Sequence, residues 1–378
     1  MQHKGSTPLQ IQNRGRILVR ANNWIGDVVL ATPALRCIRH SFPDARISVL
    51  AKPWVIPVLA HNPHIDQIIR YDRNATYKGI TGIWRVSQYL KAQRFHIAIL
   101  LQRAFEAALI SYLARIPIRL GYSTDGRGFL LTHRGSASKE EFLVPRVEHN
   151  LMLLEGFGLH AAEKDLVLRI GQDSMRRAEQ RLLDLGIKNK DLLFGLSPGS
   201  ALSSLKRWHP ERFAEVATKI TTAHNARGLL FGASGERALG EHIQHEVSDR
   251  CIINLAGETV LEEAIALIGH CGLFISNDSG LMHIAAGLDV PLVAVFGPSD
   301  PRTTSPWCTR HVIVRKTDIS CSPCMKKEHC PYDHQCMTQI SADDVLHAVQ
   351  GLIDVHGFDT IEQRRRSLRV SETSVPVA

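Results

Sequence analysis

The stretch of sequence that decides the fold lies between residues 273 and 298 and reads LFISNDSGLMHIAAGLDVPLVAVFGP. The apolar run at its start is short enough for a buried strand, a small-residue helix follows, and a second β-branched run begins after Pro291. This pattern predicts one βαβ unit of a parallel sheet. Where the strand ends, Asp278 or Ser279 can cap the helix, and the first backbone N–H groups of that helix then favour an anion. We therefore expect a phosphate group to bind there.

Strand and helix signals alternate on both sides of this unit. One series begins with RILVR at 16–20 and lacks a G-x-G-x-x-G fingerprint, and a second begins with LLFGLS at 192–197. Strands separated by helix-length segments predict two open α/β domains, each with a parallel sheet and helices on both faces. The sequence predicts the following division: a flexible arm at 1–15, a first Rossmann-like domain at 16–165, a linker at 166–190, a second Rossmann-like domain at 191–340, a C-terminal helix at 341–357 and a disordered tail at 358–378.

Composition and length fit a globular enzyme of two domains. The chain has 378 residues, of which 44% are apolar and 22% are charged, and this length exceeds what one ordinary core supports. The first residues are polar, and no apolar run approaches the roughly 18 residues of a membrane span. We expect a cytoplasmic chain without a transmembrane segment.

Charge is distributed unevenly along the chain. Residues 1–160 hold 21 Lys and Arg against 10 Asp and Glu, whereas residues 161–378 hold 24 against 27. A basic first domain suggests an anionic partner, which could be a nucleic acid, an acidic lipid surface or an acidic substrate. The candidates to contact it lie on predicted loops or strand ends: Arg20, Lys52, Arg103, Arg119 and Arg127.

Polar turns after the predicted strands supply candidate site residues. Asp27 stands in the first turn of the helix after the first strand, where a carboxylate also complements the helix dipole. In the second domain, Ser200 and Lys206 belong to the turn SPGSALSSLKRW at 197–208, which has the hydroxyl and cationic groups that bind phosphate. Glu236 follows a Gly-rich turn and could bind a ribose hydroxyl or cap its own helix.

Five motifs of this sequence, taken in order, resemble the motifs of a known family, the bacterial ADP-heptose:lipopolysaccharide heptosyltransferases of glycosyltransferase family 9. They are WIGD at 24–27, the SPG turn with KRW at 206–208, LAGET at 255–259, NDSGLMH at 277–283 and FGPSDP at 296–301. The resemblance spans roughly residues 16–350. The Trp-x-Gly-Asp form of the first motif is more similar to the heptosyltransferase II group than to group I.

This resemblance implies a GT-B fold, with two Rossmann-like domains facing across a cleft, an N-terminal acceptor domain, a C-terminal donor domain and no essential metal. By motif, Asp27 would be the general base and Lys206 would contact the donor pyrophosphate. The remaining donor-binding candidates by motif are Ser200, Glu236, Thr259, Asp278, Ser279, Gly280 and His283.

The reaction implied by the resemblance is a single displacement with inversion at the anomeric carbon of ADP-heptose. The implied acceptor is the phosphorylated Kdo-heptose inner core on lipid A, an anionic glycolipid at the cytoplasmic face of the inner membrane. We therefore expect a peripheral location on that membrane, and an anionic acceptor agrees with the basic first domain.

Four cysteines form a late cluster, Cys321, Cys324, Cys330 and Cys336, with the spacing C-x2-C-x5-C-x5-C. In a reducing compartment this density suggests a structural metal site more than disulfides. The spacing is not that of a standard zinc ribbon, so unliganded or redox-sensitive thiols remain the alternative.

Other functions remain open at this point. A related transferase could use another nucleotide sugar, because these motifs define pyrophosphate binding better than sugar binding, and acceptor specificity could be that of heptosyltransferase I. A GT-B-like sugar epimerase would turn over a nucleotide sugar without an acceptor. A nucleic-acid-binding protein is disfavoured, because the basic residues are spread through an α/β pattern without a reader motif.

Overall fold

The structure, a computed structural model, describes residues 15–136, 138, 143–201, 203–247, 251–326 and 328–378. The chain divides into two compact units. Unit 1 comprises Met1–Leu168 and Thr373–Ala378, and unit 2 comprises Arg169–Glu372. The predicted N-terminal arm lies outside the described residues except for Gly15.

Unit 1 is built on a six-stranded parallel sheet with the order β3-β2-β1-β4-β5-β6. Its central strands are almost fully buried, as expected for a sheet covered on both faces. The elements are β1 (Arg16–Arg20), α1 (Ile25–Val29), α2 (Thr32–Ser41), β2 (Arg46–Ala51), α3 (Ile56–Leu59), β3 (Gln67–Arg70), α4 (Gly79–Ala92), β4 (Ile97–Leu100), α5 (Phe105–Leu113), β5 (Ile118–Tyr122), β6 (His133–Gly135) and α6 (Arg146–Glu155).

Unit 2 repeats this strand order in its own parallel sheet, β10-β9-β8-β11-β12-β13, and adds a small two-stranded sheet of β7 and β14. The elements are β7 (Ile170–Gly171), α7 (Gln172–Asp184), β8 (Leu193–Ser197), α8 (Pro210–His224), β9 (Arg227–Leu230), α9 (Arg237–Glu246), β10 (Ile252–Asn254), α10 (Leu261–His270), β11 (Leu273–Asn277), α11 (Gly280–Gly287), β12 (Leu292–Val295), α12 (Pro301–Thr304), β13 (His311–Val314), α13 (Gln335–Thr338), α14 (Ala342–His356), α15 (Ile361–Ser367) and β14 (Val370–Ser371).

The strand order locates a crevice in each unit. In a doubly wound sheet the connections leave in opposite directions from two neighbouring central strands, and ligands bind outside the carboxyl ends of those strands. The neighbours are β1 and β4 in unit 1 and β8 and β11 in unit 2. Asp27 follows β1, and Asp278 follows β11, so both candidate motifs lie at these positions.

The helix predicted after β1 is divided into α1 and α2. The Thr32 hydroxyl donates to the Val29 carbonyl at 2.7 Å and accepts from the Val167 N–H at 2.9 Å, and Pro33 occupies the first turn of α2. The hydroxyl and the proline thus end one helix and begin the next. The chain after β1 therefore forms two helices where the sequence predicted one.

The C-terminal region differs from the prediction of a disordered tail at 358–378. The segment contains α15 and β14, and Arg364, only 1% exposed, donates to the carbonyls of Gly269, Leu288 and Asp289. These carbonyls lie at the ends of α10 and α11, where helices leave acceptors unsatisfied. Within the predicted tail, Arg364 is therefore a buried cross-link between the ends of two helices.

The predicted linker at 166–190 contains β7 and α7, and both elements belong to unit 2. At the edge of the first sheet, the structure has the short strand β6. No helix among the described residues is long and apolar enough to cross a membrane.

Candidate active site

An ion pair lies at the carboxyl end of the central strands of unit 2. The ammonium of Lys206 is 2.5 Å from Oδ2 of Asp278, and the two side chains are 17% and 6% exposed. Lys206 ends a 3-10 turn in the loop after β8, and Asp278 directly follows β11. Because these are neighbouring strands, the sheet brings together two residues that are 72 positions apart. A Lys ammonium has three donors, so this pair leaves others for a ligand.

The helix that follows Asp278 begins with a hydroxyl cap. Ser279 Oγ accepts from the Met282 N–H at 3.3 Å, and it lies 3.0 Å from Ser276 Oγ and 3.5 Å from Ser197 Oγ. The other N–H groups in the first turn of α11, which include that of Gly280, have no carbonyl partner within the helix. This end of the helix can therefore receive an anion next to the Lys206 ammonium.

His283 lies one turn further along α11 and is 5% exposed. Burial lowers the pKa of His283 to about 4; the Asp278 carboxylate opposes this shift and the Lys206 ammonium adds to it. The imidazole is therefore neutral at neutral pH, and it can both donate and accept a hydrogen bond.

The Asn277 side chain connects the loops of this site by hydrogen bonds. Its Nδ2 donates to the Pro198 carbonyl at 2.6 Å, and its Oδ1 accepts from the Trp208 N–H at 3.1 Å. Trp208 is buried and donates from Nε1 to the Ile340 carbonyl at 3.0 Å. These bonds fix the two ends of the loop that carries Ser200 and Lys206.

Glu236 is held by close packing of Gly-rich turns. Its Oε2 accepts from the Ala233 N–H at 2.9 Å, and its Oε1 is 3.5 Å from the Arg207 guanidinium. A Cβ atom added to Gly199 would lie only 2.1 Å from Oε1 of Glu236, so the carboxylate keeps this position because residue 199 has no side chain. The carboxylate is thus directed toward the same sheet edge as Lys206.

Two further predicted donor residues lie on these loops. Ser200 is buried, and its carbonyl accepts from Arg207 at 3.2 Å. Thr259 is half-buried in the turn after β10. The structure therefore pairs Lys206 with Asp278, groups Ser279 with neighbouring serines, places Glu236 against the loop of Ser200, and shows no hydrogen bond from the Thr259 side chain to any of them.

In unit 1, Asp27 lines a cavity of about 480 Å³ at the carboxyl ends of β1 and β4. It stands in the first turn of α1, half-buried. Arg103 and Arg146 line the same cavity; burial lowers the pKa of Arg103, Arg146 lowers it further, and the Asp27 charge raises it. Two guanidinium groups and a helix start therefore favour the ionised form of Asp27.

His149 lines the same cavity. It is 4% exposed and stacks on Tyr122 with ring centroids 4.4 Å apart. Burial, together with the charges of Arg103 and Arg146, lowers the pKa of His149 to about 3. A pKa this low makes the buried His149 imidazole a weak proton acceptor.

Of the five basic residues expected to contact an anionic partner, three have donors turned inward: Arg20, which donates to the carbonyls of Ala21 and Leu50, and two arginines that line neither cavity. Arg127 is fully buried and donates to the carbonyls of Tyr122, Gln102 and Ala104. Arg119 donates to the carbonyls of Leu130 and Ile116. These two arginines support the loops of unit 1, whereas Arg20, Lys52 and Arg103 line cavities.

The cysteine cluster does not form the expected metal site in the described part of the chain. All four cysteines are free, and no group of three or more His, Cys, Asp and Glu side chains among the described residues could hold a metal ion. Burial raises the pKa of Cys336 to about 11, and the other three cysteines of the cluster raise it further. A neutral buried thiol fits the alternative of unliganded cysteines.

Sequence reasoning missed several residues that line the Asp27 cavity: Thr124, Asp125, Arg146, His149 and Asn150. They come from the loop after β5 and the start of α6, and no motif marks them. The only sequence signal was the general excess of positive charge in the first 160 residues.

Two doubly wound α/β units, one with an anion site at a helix start, define an enzyme class that binds phosphate-bearing ligands at the carboxyl ends of its strands. Residues 83–334 match the family described as glycosyltransferase family 9 (heptosyltransferase). The chain therefore belongs to glycosyltransferase family 9, and its fold is GT-B.

Individual relatives align along nearly their whole length. Lipopolysaccharide heptosyltransferase 2 of Salmonella typhimurium is 30% identical over 90% of this chain and 99% of its own. The solved structure of Escherichia coli ADP-heptose lipopolysaccharide heptosyltransferase II has a TM-score of 0.73 at 26% identity, covering 90% of this chain and 99% of that one. A family 9 glycosyltransferase from Veillonella parvula has a TM-score of 0.81 at 25% identity, with 91% and 100% covered.

Proposed function

We propose that this chain transfers heptose from ADP-heptose to the heptose-Kdo inner core of lipid A, as an enzyme of the heptosyltransferase II type. The observation that carries this proposal is the Lys206–Asp278 pair beside the uncovered N–H groups of α11, at the carboxyl end of a doubly wound sheet. The names of the long-aligned relatives support the choice of heptose as the transferred sugar.

Unit 2 holds the donor in this proposal. The Lys206 ammonium and the first turn of α11 contact the pyrophosphate, with Ser279 and Gly280 at the helix start. Glu236 accepts a hydrogen bond from a ribose hydroxyl, and Thr259 lies toward the base. Asp278 positions the Lys206 ammonium, and neutral His283 offers a hydrogen bond to the sugar or the phosphate.

Unit 1 holds the acceptor and supplies the base. The Asp27 carboxylate takes the proton of the acceptor hydroxyl as its oxygen attacks the anomeric carbon, and the bond from that carbon to the phosphate oxygen breaks. ADP leaves with the electron pair, and Lys206 stabilises the charge that develops on it. The displacement occurs in one step and inverts the anomeric carbon, and we assign no step to a metal ion.

The proposed acceptor determines the proposed cellular location of the protein. Lipid A anchors the inner core in the cytoplasmic membrane, so we propose that the protein acts at the cytoplasmic face of that membrane as a peripheral protein. The positive charge of the first 160 residues supports attraction to an anionic glycolipid surface.

Mass spectrometry of transfer products tests the proposal. Purified protein is incubated with ADP-heptose and with lipid A–Kdo acceptors that bear one heptose or none. We expect one added heptose on the acceptor that already bears one. Addition only to the heptose-free acceptor would indicate heptosyltransferase I specificity, and turnover of another nucleotide sugar in place of ADP-heptose would refute the donor.

A further inference from the structure

A second cavity of unit 1, about 200 Å³ in volume, adjoins the Asp27 cavity. The two share Asn23, Gln102 and Ala104 in their walls. Three cationic side chains line the second cavity, Arg20, Lys52 and Arg73. We call it the Lys52 cavity.

Lys52 is the unusual member of this group, because it is a buried cation without a counterion. It is 6% exposed and follows the last residue of β2. The described residues place no carboxylate within ion-pair distance of it. Its ammonium instead lies 4.3 Å from the centroid of the Tyr71 ring and 6.0 Å from that of Trp54.

The other charged groups around the cavity do not neutralise Lys52. Arg20 donates to the carbonyls of Ala21 and Leu50 and to Asn23 Oδ1, so it brings a further positive charge. Glu106 forms an ion pair with Arg73 and accepts from the Tyr71 hydroxyl at 2.9 Å. Burial lowers the pKa of Lys52 to about 8, with the charges of Arg20 and Arg73 acting in the same direction and Asp72 opposing them.

Lys52 therefore differs from the buried arginines of this unit. Arg127 and Arg119 satisfy carbonyl oxygens and support loops, whereas the Lys52 ammonium has no hydrogen-bond acceptor in the described part of the chain. Keeping such a group in the fold is costly unless an anion compensates it. Because Glu106 forms an ion pair with Arg73, the positive charges of Arg20 and Lys52 remain uncompensated in the lining. These two charges match a phosphate monoester or a carboxylate with bound water.

We propose that the Lys52 cavity is a subsite for an anionic substituent, a phosphate or a carboxylate, on the same acceptor whose hydroxyl is activated by Asp27. This inference rests on the proposed function, since it assigns the charged group of the acceptor to a place beside the reacting hydroxyl. The shared walls of the two cavities put both groups within the span of a short oligosaccharide.

Lys52→Met is the informative variant, because methionine keeps much of the side-chain length and removes the charge. We expect the KM for the native acceptor to rise at least tenfold, while the KM for ADP-heptose stays unchanged. Lys91→Met is the matched control, because Lys91 is an exposed lysine in the last turn of α4. An equal rise in acceptor KM in the control would refute the subsite in favour of general surface attraction.

Two modified acceptors identify the bound group. One is treated with phosphatase, and in the other the Kdo carboxylates are converted to methyl esters. The modification that removes the difference in acceptor KM between the wild type and Lys52→Met identifies the group, phosphate or carboxylate, that binds in the Lys52 cavity. A difference that survives both modifications would refute an anionic ligand at Lys52.

Two measurements without turnover separate this inference from the proposed function. Inorganic phosphate should raise the melting temperature of the wild type and of Lys91→Met more than that of Lys52→Met. Without phosphate, Lys52→Met should melt above the wild type, because it lacks an uncompensated charge, whereas a purely structural cation–π role predicts a lower melting temperature. If phosphate binding depends on Lys52 but no heptose is transferred, only the proposed function is refuted. If heptose is transferred and the acceptor KM of Lys52→Met is unchanged, only the subsite is refuted.

Discussion

At the scale of the residue, the charge state of Asp27 decides whether unit 1 can supply a base. Its position in the first turn of α1 and the guanidinium groups of Arg103 and Arg146 in the same cavity all favour the carboxylate. Asp27→Asn keeps the shape and removes the proton acceptor. We expect kcat to fall at least 100-fold, with ADP binding unchanged in a calorimetric titration. Activity within a few-fold of the wild type would assign the base to another residue.

The Lys206–Asp278 pair connects donor binding with stability. Lys206→Ala removes the ligand contact and also leaves a carboxylate that is 6% exposed without its cation. Because an uncompensated buried charge is unfavourable, we expect the free energy of unfolding of unit 2 to fall by about 3 kcal/mol. ADP affinity should fall as well.

The double variant Lys206→Ala/Asp278→Asn separates the two effects. Removing the second charge should recover most of the lost stability in urea unfolding but none of the ADP affinity. If the double variant binds ADP like the wild type, Lys206 does not contact the pyrophosphate.

At the scale of the element, the turns after β8 and β9 depend on each other through Gly199 and Glu236. Gly199→Ala places a Cβ atom 2.1 Å from the Glu236 carboxylate, so this side chain or the loop must move. We expect ADP affinity to fall about tenfold, whereas stability should change by less than about 1 kcal/mol, because the atoms that must move are the end of a flexible side chain. Calorimetric titration with ADP and thermal unfolding measure the two effects.

Gly235→Ala is the matched control for this prediction. Gly235 lies in the neighbouring turn, and a Cβ atom added there meets nothing within 4 Å. Its ADP affinity should match that of the wild type. Equal losses in both variants would mean that the turns respond to lost glycine flexibility and not to the contact with Glu236.

The elements that were predictable from the sequence are those set by local patterns. The bounds of β1 agree with the run predicted at 16–20, and the C-terminal helix predicted at 341–357 is α14, which Ser341 and Asp344 cap by reciprocal hydrogen bonds. Such signals arise within a few residues. The short edge strand β6 lies among glycine and serine residues, where no apolar run marks it.

What the sequence could not predict depends on partners that are distant along the chain. Arg127 and Arg364 look like solvated charges in the sequence, yet their acceptors are carbonyls up to 95 residues away. The cavity residues Arg146 and His149 could not be predicted for the same reason: the fold of unit 1, and not the local sequence, brings them into one cavity with Asp27. The motif resemblance gave Lys206 and Asp278 as separate donor-binding residues, and their ion pair was not predicted, because strand order brings the two residues together.

At the scale of the whole molecule, both units use one strand order to place polar loops at the carboxyl ends of central strands. The division of roles follows from what those loops contain. Unit 1 offers a carboxylate among guanidinium groups, whereas unit 2 offers an ammonium and helix N–H groups. A hydroxyl acceptor suits the first set and a pyrophosphate the second, so the proposed reaction needs both units in one chain.

The last six residues return to unit 1 and extend its sheet. The Ile68 N–H donates to the Pro376 carbonyl and the Arg70 N–H to Ala378, both at 2.8 Å, and Ala378 donates back to the Ile68 carbonyl. Deleting Thr373–Ala378 leaves these groups of β3 as a free sheet edge, which can pair with another chain. We expect the melting temperature to fall by about 2–4 °C and concentration-dependent association to appear in sedimentation velocity. Full-length Val377→Ala keeps the backbone bonds and should behave as the wild type; association of this variant as strong as that of the truncated chain would assign the effect to the lost side chain.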